Sequence, residues 1–225
     1  FRKNLPAGIT GIGDDCAVIR MNKKESLLVT TDLLIEDRHF IFDKITACEL
    51  GWKSLAVSLS DIAAMGGLPG SAFLSISIPE KVSLKWMDGF FKGIQSCCKK
   101  YHVHLLGGDT TKSPDKLVVN FTVLGTCRND RIKLRSTAKP GHLICVTGML
   151  GDSGAGLKTL LQGRKQDALE QTLINRHHLP LPHISEGRYL SSFDAVSAMM
   201  DVSDGVDSDI RRMMEASGTG AVIDL

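Results

Sequence analysis

The residues of this chain whose types and spacing carry chemistry are aspartates set in short stretches flanked by glycine or threonine. They occur in Gly11-Ile12-Gly13-Asp14-Asp15, Thr30-Thr31-Asp32, Gly107-Gly108-Asp109 and Asp201-Val202-Ser203-Asp204-Gly205. Turns let carboxylates converge without being buried unpaired. Hard oxygen donors of this kind suit Mg²⁺, which takes one or two carboxylates per ion together with water and phosphate oxygens. Aspartate also favours turns and helix caps for purely local reasons. For a single motif the two readings weigh equally, whereas four motifs together favour the metal. Asp61 adds to them as the sole acid between Glu49 and Glu80. It falls near the C-terminal end of a predicted helix, where a carboxylate opposes the macrodipole unless a cation offsets it. Its apolar, alanine-rich surroundings favour a ligand over a solvated helix face.

The glycine-rich stretch 147–156 follows a predicted strand and opens a predicted helix, an arrangement in which backbone N–H groups can cradle a phosphate. A tight turn with a good N-cap explains it equally well. It is not a Walker loop, because Leu157 follows Gly156 and displaces Lys158-Thr159 by one position. Gly11-Ile12-Gly13 lacks the third glycine of a dinucleotide fingerprint. Arg135, beside Ser136, is a candidate phosphate clamp, against the ordinary reading of an exposed arginine. His39 either contacts substrate or is structural, and by itself favours the latter. Met199-Met200, Met213-Met214, Trp52 and Trp86 read as packing residues.

Alternating strands and helices must position these groups. The β-prone run 27–31 predicts a strand ending at Thr30-Thr31-Asp32. Helical spacing of Leu55, Leu59, Ile62 and Ala63 predicts a helix over 47–65, stopped by Gly66-Gly67 and Pro69. A strand is expected at 72–78, an amphipathic helix at 84–101, a short strand at 103–106 and a longer one at 117–126. Ala138-Lys139-Pro140-Gly141 is the candidate boundary between a domain over 1–138 and a second over 139–225. The second domain is expected to hold strands at 143–147 and 196–200, helices from Gly154, Asp167 and Asp204, and a proline-bounded segment at 179–182.

Composition excludes several classes. With 43% hydrophobic and 23% charged residues, the chain has a globular rather than a disordered composition. A net charge of +2 and the absence of long basic runs give no support to nucleic-acid or anionic-membrane binding. No apolar run approaches the ~20 residues of a bilayer span, and no secretory pattern is visible, so a cytoplasmic protein is expected. Cys16, Cys48, Cys97, Cys98, Cys127 and Cys145 form no Cys-x-x-Cys pair and read as reduced, mostly structural thiols. The start at Phe1 and the end inside an apolar run give both termini a trimmed look.

The ordered set of these motifs, together with His39-Phe40, Leu59-Ser60-Asp61-Ile62-Ala63-Ala64-Met65-Gly66, Gly107-Gly108-Asp109-Thr110-Thr111, Arg135-Ser136, Val146-Thr147-Gly148 and Gly151-Asp152-Ser153, resembles the thiamine-monophosphate kinases over nearly the whole chain. The resemblance implies an α+β fold of the two-domain aminoimidazole ribonucleotide synthetase type, with an N-terminal sheet that closes a barrel across a homodimer and a second domain incomplete here. It implies Mg-dependent transfer of the γ-phosphoryl group of ATP to thiamine monophosphate, giving thiamine diphosphate. Several Mg²⁺ ions would be held by Asp15, Thr30, Thr31, Asp32, Asp61, Asp109, Asp201 and Asp204, with Asp32, Asp61 and Asp109 catalytic through them. Gly108, Asp109, Arg135 and Ser203 would contact ATP, and His39 thiamine monophosphate. His142 stands where the family commonly has Asp, a turn change without catalytic weight. The family's C-terminal third is absent, so this stretch alone is expected to bind Mg-ATP but turn over poorly. Two other readings stay open: a related ATP-dependent synthetase, and a non-catalytic nucleotide- or metal-binding relative.

Overall fold

The computed structural model describes residues 5–163 and 167–223. Six strands, β1 (Ile9–Thr10), β2 (Ala17–Arg20), β3 (Glu25–Ile35), β4 (Leu68–Pro79), β5 (His104–Ser113) and β6 (Val118–Arg128), form one sheet in the order β1-β2-β3-β6-β4-β5. All neighbours are antiparallel except β4 and β5, which run parallel because α2 (Leu84–Tyr101) crosses between them. The other helices are α1 (Ala47–Ala64), α3 (Asp152–Gln162), α4 (Ala168–His178), α5 (Ile184–Ser191) and α6 (Val206–Ser217). The mixed α+β architecture is the expected one.

Helix α1 is the element that organises the site. It begins at a reciprocal capping box, with the Glu49 amide donating to Thr46 Oγ1 and the Thr46 amide donating to Glu49 Oε2. Its apolar stripe of Leu55, Leu59 and Ile62 is buried with Leu28 and Leu34 of β3, Phe121 and Val123 of β6, and Leu74 and Ile76 of β4 in one core. Burying such a leucine or isoleucine contributes roughly 1.5–3 kcal/mol. Helices α1 and α2 approach so closely that a Cβ on Gly93 would lie 1.9 Å from the Cys48 carbonyl oxygen. Helices α4 and α5 pack against α1 from the C-terminal region.

Three expectations need correction. β3 does not stop at Asp32 but runs on to Ile35, with Asp32 opposite Phe121, because β6 offers eleven consecutive partners. β5 likewise carries Gly107-Gly108-Asp109 inside a strand rather than a turn, held by its parallel ladder to β4. Gly108 is required there: its φ is 151°, and a Cβ would stand 1.6 Å from the Leu74 carbonyl oxygen. Segments 143–147 and 196–200 are not strands, since among the described residues neither has a ladder partner. Strand propensity without a hydrogen-bonding neighbour does not make a sheet. The helices expected from Gly154, Asp167 and Asp204 begin at Asp152, Ala168 and Val206.

Opposite α1, the outer face of the sheet leaves Leu33 and Phe73 exposed, and edge strand β5 exposes Leu105 and Leu106. Among the described residues, no helix is long and apolar enough to cross a membrane.

Candidate metal and phosphate site

Pleating of β3 turns Thr30 and Asp32 toward α1 and Thr31 away from it. The Thr30 hydroxyl donates to Asp61 Oδ2 at 2.5 Å, linking mid-strand to the last turn of α1. Asp15, from the segment entering β2, and Asp201, from the segment before α6, close on the same point. Asp15, Asp61 and Asp201 each offer an oxygen within 4.8 Å of the others. Asp32 lies beside Asp61, close enough for the two carboxyls to influence each other's charge. Ser60 Oγ donates to Asp201 Oδ2 at 3.0 Å, and Arg135 grips Asp15 with Nη2 at 2.5 Å and Nε at 3.2 Å.

Electrostatics identify what such a site lacks. Burial, reinforced by the Asp32 charge, pushes Asp61 up to about 9. Burial, reinforced by Asp15, pushes Asp201 up to about 7, and burial raises Asp32 as well. Carboxyls this close cannot all ionise without added positive charge. Arg135 supplies one cation, paired directly with Asp15 and acting at longer range on Asp14 and Asp201. Among the described residues, the wholly buried Ser58 hydroxyl makes no hydrogen bond of good geometry, though it lies near enough to Asp32 to favour that carboxylate's charged form. Carboxylate and hydroxyl oxygens with unmet capacity fit a hard divalent ion such as Mg²⁺. Once bound, it would offset the clustered charge and draw phosphate oxygens.

Not every expected residue meets here. The Thr31 hydroxyl faces the outer side of the sheet, where it accepts from Asn120 Nδ2 at 2.9 Å. Gly108 and Asp109 lie exposed on edge strand β5, so Asp32, Asp61 and Asp109 do not form one cluster within this chain. The Asp204 carboxylate is held by Arg212 Nη2 at 2.5 Å. The exposed Ser203 and Asp204 sit in the turn after Asp201. His39 lies in the turn after β3, where its Nδ1 accepts the Ile35 N–H at 3.0 Å. That bond leaves Nε2 as the nitrogen able to donate outward.

Several contributors escaped sequence reasoning. The Asp14 carboxylate receives the Arg135 amide at 3.2 Å on both oxygens, and burial pushes it up to about 6. Buried Lys53 donates to the His39 carbonyl at 3.2 Å and lies 3.3 Å from His177 Nε2. His177 Nδ1 is 3.0 Å from Ser153 Oγ, so α1 is tied through α4 to the glycine-rich turn that opens α3. Lys53 stands on the buried side of an amphipathic helix, the only signal that marked it.

Residues 13–127 match the family described as AIR synthase related protein, N-terminal domain, and residues 139–225 match AIR synthase related protein, C-terminal domain. The thiamine-monophosphate kinase of Bacillus subtilis is 40% identical over 210 residues, covering 92% of this chain and 64% of that protein. The thiamine-monophosphate kinase of Aquifex aeolicus is 35% identical over 219 residues, covering 97% of this chain and 69% of its own. The solved structure of AaThiL complexed with AMPPCP and TMP superposes with a TM-score of 0.86 at 34% identity, covering 92% of this chain and 65% of that one. The chain thus spans roughly two thirds of the length of the proteins it matches.

Proposed function

The chain belongs to the thiamine-monophosphate kinase family of AIR synthase related proteins, and from that premise we propose that it carries the nucleotide and metal half of an enzyme moving the γ-phosphoryl group of ATP to thiamine monophosphate. The observation that carries this reading is the convergence of Asp15, Asp61 and Asp201 from three distant parts of the chain to within 4.8 Å. Metal-bound phosphate is the chemistry that such clustered, oxygen-rich anions serve, and the AaThiL structure holds AMPPCP and TMP.

A phosphate monoester is already largely ionised near neutral pH, so its oxygen needs no strong base to attack the γ-phosphorus. The obstacle is bringing two polyanions together, and catalysis rests on positioning and charge neutralisation. Asp15, Asp32, Asp61 and Asp201 hold Mg²⁺ ions, with Thr30 orienting Asp61. Arg135 and the Ser203 side chain contact ATP, and His39 presents Nε2–H to thiamine monophosphate. Asp204, whose carboxylate here pairs with Arg212, would add a further ligand to the metal.

Thr31, Gly108 and Asp109 fit this scheme through a homodimer. The uncovered outer face, with Leu33 and Phe73, and the β5 edge form the interface. Pairing there shields apolar surface and an open strand edge. In that dimer Thr31, Gly108 and Asp109 serve the metal and ATP sites from the interface rather than from the cluster. The enzyme is cytoplasmic in this reading.

ADP release with thiamine monophosphate, compared with formylglycinamidine ribonucleotide or selenide as acceptor, tests the assignment. Release confined to thiamine monophosphate supports it. Release with either other acceptor alone replaces it with a synthetase.

A further inference from the structure

Asp209 is 1% exposed, on the first turns of a helix whose other described residues are all at least partly exposed. One of its oxygens, Oδ2, accepts three consecutive backbone amides, those of Ser203, Asp204 and Gly205, at 3.0, 3.1 and 3.1 Å. The other, Oδ1, accepts from Arg212 Nη1 at 3.0 Å. Arg212 in turn binds Asp204. We propose that Asp209 is a positioning residue that sets the conformation of turn 201–205, and through it the reach of Asp201 into the acidic cluster.

Three successive N–H groups pointing at one spot make an anion nest, the kind of concavity that often receives a phosphate. Here the nest is filled from within by a side chain of the same chain. Two consequences follow. The backbone amides of 203–205 are not available to a nucleotide phosphate, so Ser203 reaches ATP through its hydroxyl. The turn is also locked in a single shape before any ligand arrives, because a buried carboxylate satisfied by three amides and a guanidinium has no alternative partners of equal quality. Asp201 stands immediately before this locked turn, with Ser60 fixing its carboxylate from the α1 side. A loose turn would let Asp201 retreat from Asp15 and Asp32, whose charges repel it.

The inference rests on the reading of the cluster as a cation site, and the experiment separates the two. Mn²⁺ binding is followed by electron paramagnetic resonance on wild type, Asp209→Asn, Asp209→Ala and the control Asp207→Ala, whose exposed carboxylate pairs with the exposed Arg211. Amide exchange at 203–205 is read alongside by NMR. Wild type should bind Mn²⁺ and show those three amides protected. Asp209→Ala should bind at least tenfold more weakly and lose the protection. Asp209→Asn keeps shape but turns an amide toward Arg212 and offers a neutral acceptor, and should bind about threefold more weakly. Asp207→Ala should match wild type. Should Asp209→Ala fail to fold, Asp209→Asn decides. Unchanged Mn²⁺ affinity in the folded Asp209 variants overturns the positioning role and leaves the cation site standing. Failure of wild type to bind Mn²⁺ overturns both.

Discussion

Thr30 Oγ1 and Asp61 Oδ2 stand 2.5 Å apart, joining the middle of the central strand to the last turn of the central helix. That bond fixes the orientation of an acid whose surroundings disfavour its charge. The consequences for stability and for metal binding have opposite signs.

Asp61→Asn should stabilise the metal-free protein while abolishing most activity. The folded carboxyl titrates at about 9, against a reference value of 3.8. With the folded value raised, the stability it contributes is complete below about pH 4 and is lost as pH rises toward 9. Asparagine mimics the neutral form and escapes that loss. The variant's advantage should therefore grow across this window to the order of 2 kcal/mol, or several degrees in Tm. Turnover at saturating Mg-ATP should fall by about 10² or more. Melting curves in chelator at pH 5 and pH 9, beside ADP release, check both. A variant that is less stable at pH 9 and fully active would return Asp61 to a structural role.

Metal binding should expel protons. Asp61 and Asp201, at about 9 and about 7, are partly or wholly protonated near neutral pH without metal. A bound cation requires them ionised, so apparent Mg²⁺ affinity should climb between pH 6 and pH 9. Calorimetry in two buffers of different ionisation enthalpy measures the release directly. Affinity independent of pH would contradict the prediction.

Lys53→Met should behave differently on the two sides of pH 9. Burial holds the Lys53 amine down at about 8, from 10.5. With the folded value depressed, the stability it contributes is present above about pH 10.5 and is lost as pH falls through 8. Methionine has no such loss but forfeits the bond to the His39 carbonyl. Relative to wild type, the variant should gain about 1–2 kcal/mol on moving from pH 10.5 to pH 7. Denaturant melts at the two values settle this. Hydrogen exchange around 36–40 should quicken at both.

Phe73→Glu should give a monomer. Phe73 is 39% exposed on the uncovered sheet face, and a buried interfacial carboxylate without a partner costs several kcal/mol. Sedimentation at micromolar concentration should show dimer for wild type and monomer for the variant. A wild-type monomer would reject the proposed assembly.

Much of this protein was legible in its sequence because local patterns report local physics. The helical spacing of Leu55, Leu59 and Ile62 and the Gly66-Gly67 stop placed α1 to within a residue, and α2 emerged with the boundaries it has. The aspartate motifs marked Asp15, Asp61 and Asp201, which the fold brings within 4.8 Å of one another. Tertiary structure decided which of them meet. Pleating against β6 sent Thr30 and Asp32 to one face and Thr31 to the other, and the ladder to β4 drew Asp109 out of a turn and onto an edge. Segments 143–147 and 196–200 have strand-like sequences, yet strand formation depends on a neighbour that no local pattern reveals. Lys53 and Asp209 gain their roles from contacts with His39 and with turn 201–205, set by chain folding. Periodicity depends on neighbours along the chain, whereas coordination and charge repulsion depend on distances in space, which folding alone fixes.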